Sequence, residues 1–195
     1  MRLILASASP VRAEMLRHAG VEFDIMPADV DEEALKRSLA SSPSSVIAEA
    51  LAELKALRVS TKYPDAFVIG ADQILDFEGE IVSKSKNLAE AGALLRRLRG
   101  RAHELVTAAV LAKNGVVLWR HVGKASLLMR AFGDQFLKSY LAAEGESLLA
   151  GVGCYRLEGR GSQLFERIEG DHFGILGLPL LPLLAALREH CILPA

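Results

Sequence analysis

The sequence predicts a mixed α/β fold, in which helices flank a twisted sheet of parallel and antiparallel strands. Continuous apolar runs, such as Leu3 to Ala6 and Ala66 to Ala71, are typical of strands that are covered on both faces. Segments with the spacing of amphipathic helices follow these runs. Hairpin signals, of which Asn114-Gly115 is the strongest, interrupt the alternation of strands and helices. A sheet of parallel strands alone is therefore not expected.

The composition fits one soluble globular domain over residues 1–195. Of the residues, 51% are hydrophobic, and 23 basic side chains balance 24 acidic ones. This balance argues against a protein that coats nucleic acid. Cys154 and Cys191 have no partners at zinc-ligand spacing, so we expect two small buried side chains, a reducing compartment and no structural zinc.

The apolar segments do not predict a membrane protein. The first residues hold too few apolar side chains for the hydrophobic stretch of a signal peptide. The longest apolar run, Ile175 to Leu187, contains Pro179 and Pro182 and is shorter than the roughly 20 residues that a membrane-spanning helix needs. We expect it to form a buried C-terminal helix and the protein to be cytoplasmic.

The chain opens with a strand, a tight loop and a helix. Ser9 is placed to cap a helix whose first turn contains Pro10, and Gly20 ends the helical spacing. The later predicted elements are, in chain order, a polar stretch at 29–45 that could be partly helical, a helix at 46–57, a strand at 66–71, a hairpin turn at 77–80, a helix at 88–99 capped by Asn87, strands at 104–112, 116–122 and 126–130, a helix at 135–143 capped by Asp134, strands near 164–168 and 173–176, and the terminal helix.

Polar residues at the start of the first helix form one candidate site. Ser7, Ser9 and Arg12 lie where free backbone N–H groups and the helix dipole favour an anion. Arg12 is unfavourable in a first turn unless an anion binds there. Ordinary capping with a solvated arginine explains the same residues, so this pattern alone does not separate binding from structure.

Other candidate residues are charged side chains near element boundaries. Asp72 directly follows an apolar strand, where α/β sheets usually place ligands, although a turn-forming aspartate has the same position. Lys55 borders the apolar face of its helix and Lys84 follows a short strand. Each lysine taken singly is typical of a solvated surface, as is the acidic run Asp31 to Glu33.

These residues belong to a series of motifs that runs through nearly the whole chain. The motifs are Leu5 to Leu16 (LASASPVRAEML), Val30-Asp31-Glu32, Leu51-Ala52 with Lys55-Ala56, Gly70-Ala71-Asp72-Gln73, Lys84, Gly100-Arg101 with His103 and Thr107, and Gly177-Leu178-Pro179-Leu180. In this order and spacing the chain resembles the Maf family of nucleoside triphosphate pyrophosphatases. So many spaced motifs would not agree by chance.

The resemblance implies a fold akin to the inosine-triphosphatase group, with two lobes around a cleft, commonly in a homodimer. It also implies hydrolysis of a nucleoside triphosphate to monophosphate and pyrophosphate. That reaction needs a base, a divalent cation and fixed positive charge. By resemblance, Asp72 is the base or orients a metal-held water, and Glu32 is a metal partner. The phosphate ligands are Ser7, Ser9, Arg12, Lys55 and Lys84. Hard oxygen ligands favour Mg²⁺ or Mn²⁺.

Three positions bear on the choice of base. Val11, Gln73 and Glu158 stand where the commonest members, which resemble dTTP/UTP pyrophosphatases, carry arginine, threonine and glutamine. Gln73 and Glu158 resemble the branch that acts on 7-methyl-GTP. A carboxylate can accept two hydrogen bonds from guanine and favours the positive charge of the methylated ring. Val11 fits neither pattern, so a dTTP/UTP preference or a broad one stays open.

A function of another class is a regulatory nucleotide-binding module, linked to arrest of cell division, that has lost hydrolysis. The presence of Asp72 with Glu32 and Lys55 favours an enzyme, because a pure binder needs no base. We expect a nucleoside triphosphate as the ligand, and neither nucleic acid nor a membrane as a partner.

Overall fold

The computed structural model describes residues 1–194. These residues form seven β-strands, seven α-helices and two 3₁₀ helices. The strands and helices are β1 (Leu3–Leu5), α1 (Pro10–His18), β2 (Asp24–Ile25), α2 (Glu32–Ser38), α3 (Ser44–Ser60), β3 (Phe67–Phe77), β4 (Glu80–Val82), α4 (Leu88–Leu98), β5 (Ala102–Lys113), β6 (Val116–Met129), α5 (Asp134–Glu144), β7 (Phe165–Glu169), α6 (His172–Ile175) and α7 (Leu180–Glu189), with 3₁₀ helices at Gly145–Ala150 and Arg160–Leu164.

The strands form a mixed sheet, which confirms the predicted fold class. Their order is β2-β1-β3-β5-β6-β7, and β4 pairs with β3 beside this path. β1 runs parallel to β2 and to β3. β4 runs antiparallel to β3, and β7 antiparallel to β6.

The chain divides into two compact units of interleaved segments. Unit 1 contains residues 1–73, 106–124 and the C-terminal part from Asp171, and unit 2 contains residues 74–105 and 125–170. Strands β3, β5 and β6 pass from one unit into the other. Neither unit is therefore a continuous stretch of sequence.

Strand β1 and the first part of β3 are apolar on both faces. Leu5 and Ile69 point into a cluster that includes Leu16 of α1. Their neighbours in sequence, Ile4 and Val68, point into a second cluster on the other side. Because successive strand residues face opposite sides, two covered faces require the continuous apolar runs seen in the sequence.

Local signals place two helices and two hairpins as predicted. Ser9 caps α1, and Asn87 caps α4 by accepting a hydrogen bond from the N–H of Glu90 at 2.9 Å. Asn114 and Gly115, between β5 and β6, have φ angles of 50° and 72°. The hairpin turn between β3 and β4 likewise contains two residues with positive φ. Such turns need residues that tolerate the left-handed region.

The apolar C-terminal run differs from the prediction. The expected strand at 173–176 is helix α6, because the side chain of Asp171 accepts a hydrogen bond from the N–H of Gly174 at 2.6 Å and caps a helical turn. The terminal helix begins only at Leu180, after Gly177 at φ 105°. None of the helices formed by residues 1–194 combines the length and apolar character that crossing a membrane requires.

Two further predictions in unit 2 are wrong in detail. The expected separate strand at 126–130 is the last part of the continuous strand β6. Asp134 does not cap α5. The cap residue is Gly133, and the carboxylate of Asp134 instead accepts a hydrogen bond from Arg99 Nη1 at 2.8 Å.

The polar stretch at 29–45 is partly helical. Asp31 caps α2 by accepting a hydrogen bond from the N–H of Ala34 at 2.8 Å. The short strand β2 was not predicted, because two residues are too few to show a hydrophobic period.

Both cysteines are free thiols. Cys154 is buried as expected, but Cys191 is exposed, so the prediction is wrong for that residue.

Candidate active site

Asp72 lies inside β3 and not at its end, which corrects the sequence prediction. β3 pairs with β1 as far as Ile69 and with β4 from Leu75 onwards. The strand continues past Asp72 because Leu75, Asp76 and Phe77 pair with β4. Asp72 thus lies beyond the C-terminal end of β1, at the point where β3 changes its neighbour.

Gly70 lets helix α3 lie directly against β3. A Cβ atom at Gly70 would lie 2.1 Å from the carbonyl oxygen of Ala52 and 2.7 Å from the backbone nitrogen of Ala56. Only glycine fits at this distance, because both neighbours are backbone atoms. The close approach brings Lys55, which lies between these two alanines on α3, to the strand that carries Asp72.

The ammonium group of Lys55 joins two carboxylates. Its Nζ lies 2.6 Å from Asp72 Oδ1 and 2.7 Å from Glu32 Oε1. The side chains of Lys55 and Asp72 are 10% and 9% exposed, whereas Glu32 is 41% exposed. The structure therefore brings three predicted site residues into one ion-pair cluster on β3, α2 and α3.

Arg12 is held in one orientation by three hydrogen bonds. Its Nε donates to the carbonyl oxygen of Gly177 at 2.6 Å, and its Nη1 donates to Ser7 Oγ at 3.1 Å and to the carbonyl oxygen of Ala71 at 3.0 Å. Burial lowers the pKa of Arg12, and the negative charges of Asp72 and Glu32 oppose that shift. The side chain thus folds back from α1 toward β3.

The two predicted serines satisfy backbone groups at the start of α1. Ser7 is buried, and its Oγ accepts a hydrogen bond from the N–H of Ser9 at 3.3 Å. Ser9 Oγ accepts from the N–H of Arg12 at 3.4 Å. Ordinary capping is therefore present at both serines. Val11 is half-buried and packs against the apolar cluster around Leu16.

Gln73 faces helix α6. Its amide nitrogen donates to the carbonyl oxygens of Gly174 and Ile175 at 2.9 and 3.0 Å, and to Thr107 Oγ1 at 3.0 Å. The hydroxyl group of Thr107 donates to the same carbonyl of Gly174 at 2.8 Å. Thr107 and Gly174 had no predicted role, because nothing local in the sequence links β5 with α6.

Lys84 and Glu158 belong to unit 2. Lys84 is exposed after β4, and with Ser83, Lys86 and Arg97 it contributes to the lining of an open cavity of about 350 Å³. Glu158 is exposed, and its Oε1 accepts a hydrogen bond from Arg156 Nε at 3.1 Å. Both residues are thus accessible, and Glu158 already has a cationic partner.

Two hydrogen bonds hold the glycine-rich segment at 151–161, which precedes β7 and carries Glu158. The thiol of Cys154 donates to Ser85 Oγ at 3.2 Å, and the hydroxyl of Tyr155 lies 2.7 Å from His103 Nε2. Burial raises the pKa of Tyr155 and lowers that of His103 to about 4. Both groups are therefore neutral at neutral pH, so their contact is a hydrogen bond between uncharged groups.

The depressed pKa of His103 predicts that acid destabilises the fold. The unfolded state binds a proton at the ordinary pKa of 6.5, whereas the folded state does so only near 4. The stability that neutral His103 preserves is therefore complete above pH 6.5 and is lost as the pH falls toward 4. The loss is at most about 3 kcal/mol, since each tenfold change in an acid constant is worth about 1.4 kcal/mol.

Urea unfolding of the wild type and of His103→Gln at neutral and at acid pH measures this effect. We expect the glutamine variant to lose less stability than the wild type over the same pH interval. An equal loss in both proteins would show that His103 is not the group responsible.

Glu32 and Asp72 are the oxygen donors of this cluster that suit a divalent cation. Mg²⁺ is commonly held by one or two carboxylates, with phosphates and waters completing its shell. Within residues 1–194 no three His, Cys, Asp or Glu side chains are grouped closely enough to hold a metal on their own. The two carboxylates fit a cation whose remaining ligands come from the bound molecule.

The fold and the cluster together define an α/β protein with fixed charges beside the end of a parallel strand. Two cations, Arg12 and Lys55, and two carboxylates, Asp72 and Glu32, give this cluster no net charge. The chain belongs to the Maf family, since the family described as Maf-like protein matches residues 2–190. The resemblance seen in the sequence is thereby confirmed.

Relatives of known name match nearly the whole chain. A nucleoside triphosphate pyrophosphatase from Granulibacter bethesdensis is 55% identical over 192 residues, which cover 97% of this chain and 98% of the relative. A 7-methyl-GTP pyrophosphatase from Rhizobium meliloti is 49% identical over 189 residues, which cover 96% of this chain and 95% of the relative.

Among solved structures, a HAM1 protein from Coxiella burnetii is similar to part of the chain. It is 15% identical with a TM-score of 0.47, and the match covers 68% of this chain and 74% of the other.

Proposed function

We propose that this protein is a nucleoside triphosphate pyrophosphatase, which hydrolyses the α–β phosphoanhydride bond to give a nucleoside monophosphate and pyrophosphate. The observation that carries this proposal is the ammonium of Lys55 between Asp72 and Glu32, beside the anchored guanidinium of Arg12. The relatives named as pyrophosphatases support it.

The residues divide the chemistry between charge and proton transfer. Arg12 and Lys55 bind phosphate oxygens and oppose the negative charge that accumulates as water attacks the α-phosphorus. Asp72, which is 9% exposed, accepts the proton of that water or orients it. A divalent cation held by Glu32 and Asp72, when bound, supplies additional positive charge on the phosphates. The cluster needs this charge because its own charges cancel.

Release of pyrophosphate from a panel of canonical and modified nucleoside triphosphates tests the proposal. We expect hydrolysis that requires Mg²⁺ or Mn²⁺ and stops at the monophosphate. Tight binding of a nucleotide without pyrophosphate release would contradict the proposal and indicate a regulatory binding module. Lys84 remains a predicted phosphate ligand. The homodimer and the cytoplasmic location likewise remain predictions.

For the base, we propose a preference for a methylated guanine, read by Glu158. Its carboxylate is exposed, and Arg156 orients it through a hydrogen bond of 3.1 Å. The relative named as a 7-methyl-GTP pyrophosphatase supports this preference. A site that satisfies the donors of one base discriminates strongly, because a wrong base leaves polar groups unpaired at about 1–3 kcal/mol each.

Glu158→Gln tests this preference. The variant keeps the size of the side chain and one acceptor but removes the negative charge. We expect kcat/KM for 7-methyl-GTP to fall far more than that for UTP, since a charge-assisted hydrogen bond is about twice as strong as a neutral one. The ratios of kcat/KM among 7-methyl-GTP, GTP, UTP and dTTP measure the effect. Unchanged ratios would show that Glu158 does not read the base.

A further inference from the structure

One glycine of the glycine-rich segment makes room for the ring of Tyr155. A Cβ atom at Gly153 would lie 2.2 Å and 2.4 Å from two ring carbons of Tyr155 and 2.8 Å from its hydroxyl oxygen. The φ angle of Gly153 lies outside the left-handed region, so glycine is required here for space and not for backbone conformation. The absence of a side chain at Gly153 thus lets the ring lie directly against the backbone of the segment.

Two further aromatic side chains contact the ring of Tyr155. Its hydroxyl lies 2.7 Å from His103 Nε2, and its ring meets that of Phe165 edge-on, with the two centroids 4.8 Å apart. His103 is buried near the start of β5, and Phe165 is the first residue of β7. Two strands of unit 2 and the backbone of the segment itself therefore hold the ring.

The backbone that follows Tyr155 carries Glu158 in a tight turn. The N–H of Gly159 donates to the carbonyl of Arg156 at 3.1 Å, which closes a four-residue turn that we call the Glu158 turn. A Cβ atom at Gly161 would lie 2.4 Å from the same carbonyl oxygen and 2.6 Å from the nitrogen of Arg156. The chain therefore returns directly onto the residue that is covalently joined to Tyr155.

The side chains of the Glu158 turn contribute little to its rigidity. Arg156 and Glu158 are both exposed, and their ion pair at 3.1 Å is of a kind that stabilises weakly in water. The position of the carboxylate thus depends on the backbone of the turn, and that backbone is held through the ring of Tyr155.

We infer that Tyr155 is a positioning residue for Glu158. Its ring, packed on Gly153 and hydrogen-bonded to His103, fixes the Glu158 turn and with it the carboxylate that reads the base. The inference rests on the proposed base preference. It makes the choice of nucleotide depend on residues that do not touch the base.

Gly153→Ala tests the inference, because the three atoms nearest to the added Cβ all belong to Tyr155. We expect the ratio of kcat/KM for 7-methyl-GTP to that for UTP to fall about 2- to 10-fold, since a displaced carboxylate loses one net hydrogen bond to the preferred base. Tyr155→Phe, which removes only the hydroxyl, should change the ratio in the same direction.

Gly151→Ala is the matched control. Gly151 belongs to the same segment and has extended backbone, with φ −105° and ψ 155°. The nearest atom to its added Cβ, the carbonyl oxygen of Tyr155, lies 3.9 Å away, which is an ordinary contact. This variant should keep the wild-type ratio.

The decisive measurement repeats Gly153→Ala in a Glu158→Gln background. The ratio should not change further there, because the carboxylate that Tyr155 positions is already absent. An additional change would show that Gly153 acts on the base by another route. An equal loss for both nucleotides in the single variant would assign the ring to the fold alone. Either result would overturn the inference.

Amide hydrogen exchange tests the positioning without any nucleotide. Gly153→Ala and Tyr155→Phe should speed the exchange of the N–H group of Gly159, while exchange in α3 stays as in the wild type. Unchanged exchange in the Glu158 turn would contradict the inference. If the wild type hydrolyses no nucleotide, the proposed function fails, whereas the exchange still decides whether Tyr155 holds the turn.

Discussion

Asp72→Asn is expected to lose turnover by about 10²- to 10⁴-fold, the usual contribution of a positioned acid or base. The substitution keeps the size of the side chain, and Lys55 retains Glu32 as a partner at 2.7 Å, so the fold should survive. The amide cannot take up the proton of the attacking water and is a weaker ligand for a divalent cation. The kcat for pyrophosphate release at saturating nucleotide and cation measures the loss.

Asp76→Asn is the matched control for this experiment. Asp76 lies on the same strand, but its carboxylate accepts a hydrogen bond from the N–H of Gly79 at 2.9 Å in the following hairpin turn. Its amide variant should keep a turnover close to that of the wild type. A folded Asp72→Asn protein with near wild-type turnover would remove Asp72 from the mechanism, whichever of its two roles was assumed.

Gly70→Ala, which adds one methyl group, is expected to lower the free energy of unfolding more than any other such substitution that we predict in unit 1. The added Cβ would lie 2.1 Å from a backbone oxygen of α3, so the helix or the strand has to shift. Overpacking of this kind costs about 3 kcal/mol or more when backbone must move. A shift of α3 also withdraws Lys55 from Asp72, so turnover should fall together with stability.

Urea unfolding of Gly70→Ala and Gly123→Ala measures the cost. Gly123 is also a strand residue, and the nearest atom to its added Cβ, His121 Nε2, lies 3.7 Å away. The comparison subtracts what any glycine-to-alanine change in a strand does to the unfolded chain. Equal midpoints for the two variants would mean that the contact between α3 and β3 yields easily.

The sequence predicts the structural features that depend only on residues close to one another in the chain, such as helix caps. Ser9 and Asn87 cap their helices because a side chain and an N–H group three residues later suffice for a cap. The prediction of a strand at 173–176 is wrong, because a short apolar run fits either a strand or a helix. The cap formed by Asp171 favours the helix α6.

The site required contacts that no local pattern contains. Asp72 and Lys55 were identified through the family motifs, but their ion pair depends on the absence of a side chain at Gly70. The bond between Arg12 and Gly177 joins residues 165 positions apart. For the same reason the hydrogen bonds from Gln73 to the carbonyl oxygens of Gly174 and Ile175 could not be predicted.

The interleaving of the two units has a consequence for synthesis on the ribosome. Residues from Asp171 onwards emerge after all the other segments of unit 1, although they supply the carbonyl that anchors Arg12. The nascent chain can assemble α1 and β1 early. Until the late segment emerges, however, the guanidinium of Arg12 has only Ser7 and the carbonyl of Ala71 as partners. The affinity for phosphate that we propose for Arg12 should therefore be acquired late in translation. A stalled chain that ends before residue 171 would then be a poor competitor for cellular nucleotides.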